Sequence, residues 1–129
     1  MSKNIQILDC TLRDGGLGLE DAEKNDLSHV RFAENDSRMI AGYLADSAID
    51  IIELGPIEIT SDNRTGFCIY QNIEDISKQM PLKKKQNQMF AALYRGPDTP
   101  IEDIPKWNPS LCEAVRVIIR YSELQKSLD

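Results

Sequence analysis

Histidine is almost missing from this chain: there is one, His29. No His-x-His metal pair can therefore be drawn from these residues, and His29 itself reads as a solvated loop side chain. Cysteine is sparse as well. Cys10, Cys68 and Cys112 form an odd set without metal-like spacing, and they read as reduced thiols in a cytoplasmic protein. Basic residues are outnumbered, with 15 Lys and Arg against 21 Asp and Glu, for a net charge of −6. Such a chain neutralises phosphates poorly, so no nucleic-acid partner is expected. The one basic run, Lys83-Lys84-Lys85, follows Pro81 and reads as a solvated turn. No apolar run approaches the roughly 18 residues of a membrane span, and the N-terminus lacks a signal-peptide core. A membrane is thus not an expected partner either. Finally, 129 residues are too few for a complete (β/α)₈ barrel, which takes roughly 200 to 250.

What is present suits one folded domain. Hydrophobic residues make up 41% and charged residues 28%, a balance that supports a buried core rather than disorder. Four strand signals recur: Ile5–Leu8, Asp50–Leu54 ended by Gly55-Pro56, Gln88–Tyr94 ended by Gly96-Pro97, and Ala114–Ile119. They are mostly continuous apolar runs, as in parallel strands covered on both faces. Helical spacing appears between them. Met39, Ile40, Tyr43, Leu44 and Ala48 form one stripe, with Asn35, Asp36 and Ser37 as candidate caps. Ile69, Ile73, Ile76 and Met80 form another, stopped by Pro81. Thr99-Pro100-Ile101-Glu102 is a capping box that opens a short helix carrying Ile101, Ile104 and Trp107. Ser122 caps a last stripe, Leu124 and Leu128. The pattern stops at Asp129 about two turns in, which reads as a longer chain cut inside its fourth helix.

The order β-α-β-α-β-α-β-α predicts an α/β fold with a parallel sheet. The two longest connections, residues 14 to 34 and 55 to 68, both follow strand C-terminal ends. Parallel α/β folds place their sites there.

The segment richest in chemistry is Ile7-Leu8-Asp9-Cys10-Thr11-Leu12-Arg13-Asp14-Gly15-Gly16. Taken alone, its Arg-Asp-Gly-Gly end reads as a strand end and a solvated turn. The full ten residues resemble the signature Asp-x-Thr-Leu-Arg-Asp-Gly of the metal-dependent lyase and acyltransferase superfamily built on a TIM barrel. That superfamily includes hydroxymethylglutaryl-CoA lyase, isopropylmalate synthase and 4-hydroxy-2-oxovalerate aldolase. Ile52-Glu53-Leu54-Gly55-Pro56 looks like its second strand, and Val115-Arg116-Val117 looks most like the aldolase branch. The resemblance spans residues 1–129 as about four βα units, the N-terminal half of a barrel.

It implies a divalent metal, Mg²⁺ or Mn²⁺, and a small 2-oxo acid substrate cleaved to pyruvate and an aldehyde. Asp14 matches the metal ligand, a hard oxygen donor suited to such ions. Arg13 matches the catalytic arginine that stabilises the enolate oxygen and binds substrate. Glu53, at the end of the second strand, would face the same mouth as a substrate-binding residue or pair with a cation of the barrel interior. Arg120 lies where the aldolase branch has a histidine and would bind an anionic substrate or pair with Glu123. Leu17 stands where that branch has its acid–base histidine, so the proton-transfer residue is not identified. One carboxylate makes a weak metal site, and a half-barrel leaves two open strand edges. Little or no turnover is expected from this chain alone, with completion by a missing C-terminal half or by a second copy. The alternative is a non-catalytic half-barrel that self-associates or binds small anions.

Overall fold

The computed structural model describes residues 5–33, 35–58, 62–81, 83–94, 108–118 and 121–125. Its centre is a four-stranded sheet of order β1-β2-β3-β4, with every neighbouring pair parallel. The strands are β1 (Leu8–Asp9), β2 (Ile51–Ile57), β3 (Met89–Tyr94) and β4 (Ala114–Val117). The helices are α1 (Thr11–Lys24), α2 (Asp36–Asp46) and α3 (Ile73–Ser77). The expected α/β architecture is therefore observed. The capping box at 99–102, with Ile101, Ile104 and Trp107, lies outside the described residues, as do Ile119 and Leu128.

One sheet face carries the core. Ile52, Leu54, Phe90, Ala92 and Tyr94 pack there with Leu12, Ala41, Ala45, Ile73 and Ile76. Side chains alternate across a strand, so Glu53, Ala91, Leu93 and Arg116 occupy the other face. In α2 the buried stripe is Ser37, Ala41 and Ala45. Met39 and Tyr43, expected on that stripe, are exposed instead. Small side chains let the helix lie close to β2, while Ile40 and Leu44 pack at its flank. Ala48 falls beyond the helix end.

Several boundaries differ from expectation. The first strand forms at Leu8–Asp9 rather than Ile5–Leu8. It is an edge, paired with β2 among the described residues, and Ile5 and Ile7 project into solvent. Residues 14 to 24 are helix and not loop. Two adjacent glycines suggest a turn, yet a Cβ on Gly16 would lie 1.9 Å from the Phe67 carbonyl oxygen. Gly16 is thus a contact point of α1, one turn beyond Leu12 and one before Glu20, the buried residues of that helix.

Gly55-Pro56 does not end β2. The register shifts between Glu53 and Pro56, a bulge that accommodates a residue lacking an N–H. Gly55 sits at φ +153, and a Cβ there would lie 2.0 Å from the Cys68 carbonyl oxygen. Beyond the bulge, Tyr70 pairs in parallel with Ile57 where β1 no longer reaches. The Tyr70 N–H donates to the Pro56 carbonyl at 3.0 Å, and the Glu58 N–H donates to the Tyr70 carbonyl at 2.8 Å.

The Ile69–Met80 stripe is helical at Ile73–Ser77, started by Asn72, whose side chain accepts the Asp75 N–H at 2.8 Å. A 3₁₀ turn, Tyr121–Glu123, stands where Ser122 was expected to cap a helix. The basic run is also more than a solvated turn. Lys84 pairs with Glu113 and donates to the Gln88 carbonyl at 2.8 Å. Lys85 donates to the Asp46 and Ser47 carbonyls at the end of α2, where a helix dipole favours a cation.

Gly16→Ala is expected to destabilise the fold by about 2 kcal/mol or more, since the clash outweighs the gain in helix propensity. Gly18→Ala, with nothing within 4 Å of its Cβ position, is expected to stabilise by about 0.5–1 kcal/mol. Urea unfolding of both variants checks the contrast.

Candidate functional site

The site grows from the end of β1. The chain leaves the strand at Asp9, whose carboxylate accepts the Thr11 N–H at 2.9 Å and the Thr11 hydroxyl at 3.0 Å. That local turn starts α1 directly on the strand end. Leu12 drops into the core, and the next residue, Arg13, reaches the opposite sheet face. There it meets Glu53, the third residue of β2, which is 0% exposed.

Glu53 is the centre of the cluster. Arg13 Nε lies 2.6 Å from Glu53 Oε2. The N–H is not aligned along that contact, so Nε is buried without a hydrogen-bond acceptor among the described residues. Arg116 of β4 approaches from the other side. Its Nε donates to Glu53 Oε1 at 2.8 Å and its Nη2 to Glu53 Oε2 at 3.1 Å, a bidentate fork. The register explains the reach. Glu53, Ala91 and Ala114 stand in one cross-strand row, with Pro56, Leu93 and Arg116 in the next. The small Ala91 lets the long Arg116 stem cross β3.

Asp14 sits beside this group and turns outward. Its Oδ1 is 3.2 Å from Arg13 Nη2, and its side chain is 65% exposed. Cys10 completes the cluster. Burial pushes its thiol up, an effect opposed by a hydrogen bond with Arg13 and reinforced by Glu53. Burial alone works against the charge on Arg13. Cys10, Glu53 and Asp14 outweigh it and hold the guanidinium above its ordinary range.

Arg13, Asp14 and Glu53 are therefore gathered in one place, with Glu53 buried as the partner of two cations. Arg120 lies outside the described residues. His29 is exposed in the connection after α1, and Leu17 is partly buried. Cys10 and Arg116 were not anticipated as members. A signal for Arg116 does exist: it and Glu53 are opposite charges set inside otherwise apolar strand runs.

A divalent ion finds too few donors here. Asp14 offers an exposed carboxylate beside a cation, both Glu53 oxygens are engaged by arginines, and a thiol is a soft ligand. Among the described residues no group of three His, Cys, Asp or Glu side chains gathers as a metal site. Asp14 is left as a single carboxylate donor, so these residues do not by themselves complete a metal site. What they offer is a pair of guanidinium groups held in place by a buried carboxylate, an arrangement suited to anions.

A second ionic cluster braces the C-terminal end of β2. Arg64 pairs with Glu20 of α1 and, at 2.8 Å, with Glu58. Burial would raise the Glu20 carboxyl, but hydrogen bonds from Arg64 and Lys24 pull it below its usual range. Arg31 pairs with Glu23 and stacks over the Phe67 ring at 5.0 Å. These contacts pin residues 62–67 to α1.

No protein-family model, curated protein or solved structure matches this chain. Among the described residues no helix is long and apolar enough to cross a membrane.

Glu53→Gln is expected to cost about 1–3 kcal/mol in urea unfolding, because two arginines lose their buried counter-charge. The thiols give a pH test. Burial pushes Cys68 up to about 11 and Cys112 up to about 12, from 9.0. Groups raised on folding contribute stability that is complete below pH 9 and lost as pH rises towards 11–12. Native protein at pH 8 should therefore leave both thiols unreactive to an aromatic disulfide reagent until it unfolds.

Proposed function

We propose that this chain supplies four βα units of a barrel-type carbon–carbon lyase that cleaves a small 4-hydroxy-2-oxo acid to pyruvate and an aldehyde. The observation that carries this reading is the meeting of Arg13 and Glu53. They come from segments 40 residues apart whose sequences resemble the first and second strands of one superfamily, and their charged atoms approach to 2.6 Å. In the cleavage the C3–C4 bond breaks and its electron pair passes to the 2-oxo carbonyl as an enolate. Arg13 would hold that developing oxyanion, a role that needs a cation fixed before the charge appears. Glu53 would position Arg13, leaving the Nη groups to face the ligand.

The proton of the 4-hydroxyl needs a base, and no residue of this cluster takes that role. A divalent cation, where one takes part, would supply Lewis acidity to the 2-oxo acid. Asp14 is the residue of this chain that would hold it, with the other ligands coming from substrate, water and a completing segment. β1 and β4 each pair on one side among the described residues, which favours completion by a C-terminal half or a second copy. The 129-residue chain alone is thus expected to produce no pyruvate above background from 4-hydroxy-2-oxopentanoate.

The test is calorimetric titration of pyruvate with Mn²⁺ present. Asp14→Asn is expected to remove the metal-dependent part of binding, and Arg13→Ala to weaken binding by about tenfold (about 1.4 kcal/mol). Binding that is the same with Mn²⁺, with EDTA and in Asp14→Asn would overturn the proposal.

A further inference from the structure

We infer that the chain has a second site, which binds a small neutral polyhydroxyl compound of the monosaccharide class. It lies between the first turn of α2, the 3₁₀ turn Thr65–Phe67 and the end of α3. It shares no residue with the Arg13–Glu53 cluster and does not depend on the lyase reading.

Space is the first reason. A cavity of about 230 Å³ is lined by Phe32, Ala33, Ser37, Thr65, Gly66 and Gln79. One water takes up about 30 Å³, so this volume suits a solute of several heavy atoms. Thr65 and Gln79 also line an adjoining cleft of about 470 Å³, within the roughly 300–1,000 Å³ of small-molecule sites. The walls are fixed by contacts formed on folding. The Phe32 N–H donates to the Gly66 carbonyl at 2.8 Å, and the Gln79 N–H donates to the Ile76 carbonyl at 3.0 Å. The Ser37 hydroxyl donates to Gln79 Oε1 at 2.6 Å, tying α2 to the end of α3. A ligand therefore meets groups that are already placed.

Hydrogen-bonding capacity is the second. Ser37 occupies Gln79 Oε1, and the Gln79 Nε2 amine keeps its donors without a partner among the described residues. Across the cleft, Asn63 Oδ1 accepts the Thr65 N–H at 3.1 Å and the Thr65 hydroxyl at 2.8 Å. Asn63 Nδ2 is left in the same condition. Tyr70 is 1% exposed, and its hydroxyl has no hydrogen-bond partner among the described residues. Burial pushes that hydroxyl up, and Cys68 and Ser37 are the side chains that act on it. Ser37 joins it to the cavity, because a serine oxygen can accept from Tyr70 while its own proton points inward. The charged side chains of the cleft are already matched, Lys78 with Asp75 at 2.7 Å and Arg64 with Glu20 and Glu58. What is on offer is a set of uncharged donors above apolar Phe32 and Ile69. A carboxylate or phosphate would trade water for amides alone, whereas a sugar hydroxyl exchanges one neutral hydrogen bond for another. Its own proton can turn to Thr65 or to solvent, a freedom that a peptide N–H lacks.

Titrations of the ¹⁵N-labelled 129-residue chain with D-glucose, D-galactose and D-mannose, followed by amide chemical shifts, test this. The Gln79 side-chain amide is expected to shift saturably with at least one of them. The matching uronate and the matching amino sugar, which add a charge to the same ring, should bind at least about tenfold more weakly. Gln79→Ala should weaken binding of the neutral sugar by about tenfold, and Tyr70→Phe should weaken it while leaving thermal melting native-like. No saturable shift with any of the three sugars, equal binding of the uronate, or unchanged affinity in Gln79→Ala of native-like thermal melting would overturn the inference. Should Gln79→Ala fail to fold, the wild-type shift map decides. Saturable shifts at Ser37, Thr65 and Gln79 support the site, and saturable shifts confined to other residues overturn it. Neither Mn²⁺ nor Asp14→Asn enters this outcome, so failure of the lyase reading leaves it standing.

Discussion

A carboxylate with no access to water must be matched where it sits, and Glu53 is the group on which the site depends. Ionised and alone in a sheet interior it would be costly by several kcal/mol. Arg13 and Arg116 meet that cost together, one at the start of α1 and the other in β4. The consequence is architectural as well as electrostatic. One side chain of β2 ties the first crossover and the last strand to the middle of the sheet. The guanidinium that would face a ligand is oriented by a contact formed on folding.

The second constraint is backbone proximity. α1 and residues 65–70 both crowd the C-terminal end of β2, and two glycines mark where main chain nearly touches main chain. Gly16 admits the Phe67 carbonyl and Gly55 admits that of Cys68. Because β1 covers two residues, Tyr70 takes over the upper edge of β2. Arg64 and its two glutamates then hold this packed corner against α1. Such a corner gives Arg13 a rigid base.

Much of the fold is legible in the sequence because strand interiors announce themselves. Apolar runs at 50–54, 88–94 and 114–119 locate β2, β3 and β4, and helical spacing between them implies parallel order. Edges and close approaches are not legible. Ile5–Leu8 has strand character, but the edge strand, paired on one side among the described residues, keeps Leu8 of it and runs on to Asp9. Gly15-Gly16 has turn character, but a helix passing over a carbonyl needs glycine as much as a turn does. Gly55-Pro56 has the character of a strand end, but a bulge absorbs it. In each case the local preference is real, and a tertiary contact invisible in the chain order outweighs it.

The candidate site divides in the same way. Residue type marks Arg13, Asp14 and Glu53 in the sequence, since charge beside or inside an apolar run is conspicuous. That Glu53 is fully buried, that it carries two arginines and that Arg116 is one of them depends on register across β3 and on the small size of Ala91. The sequence by itself determined a parallel α/β chain with a charged cluster at the end of its first strand. The tertiary structure decided which charges meet and which face water, because pairing across 63 residues is set by how strands align and not by what any segment prefers alone.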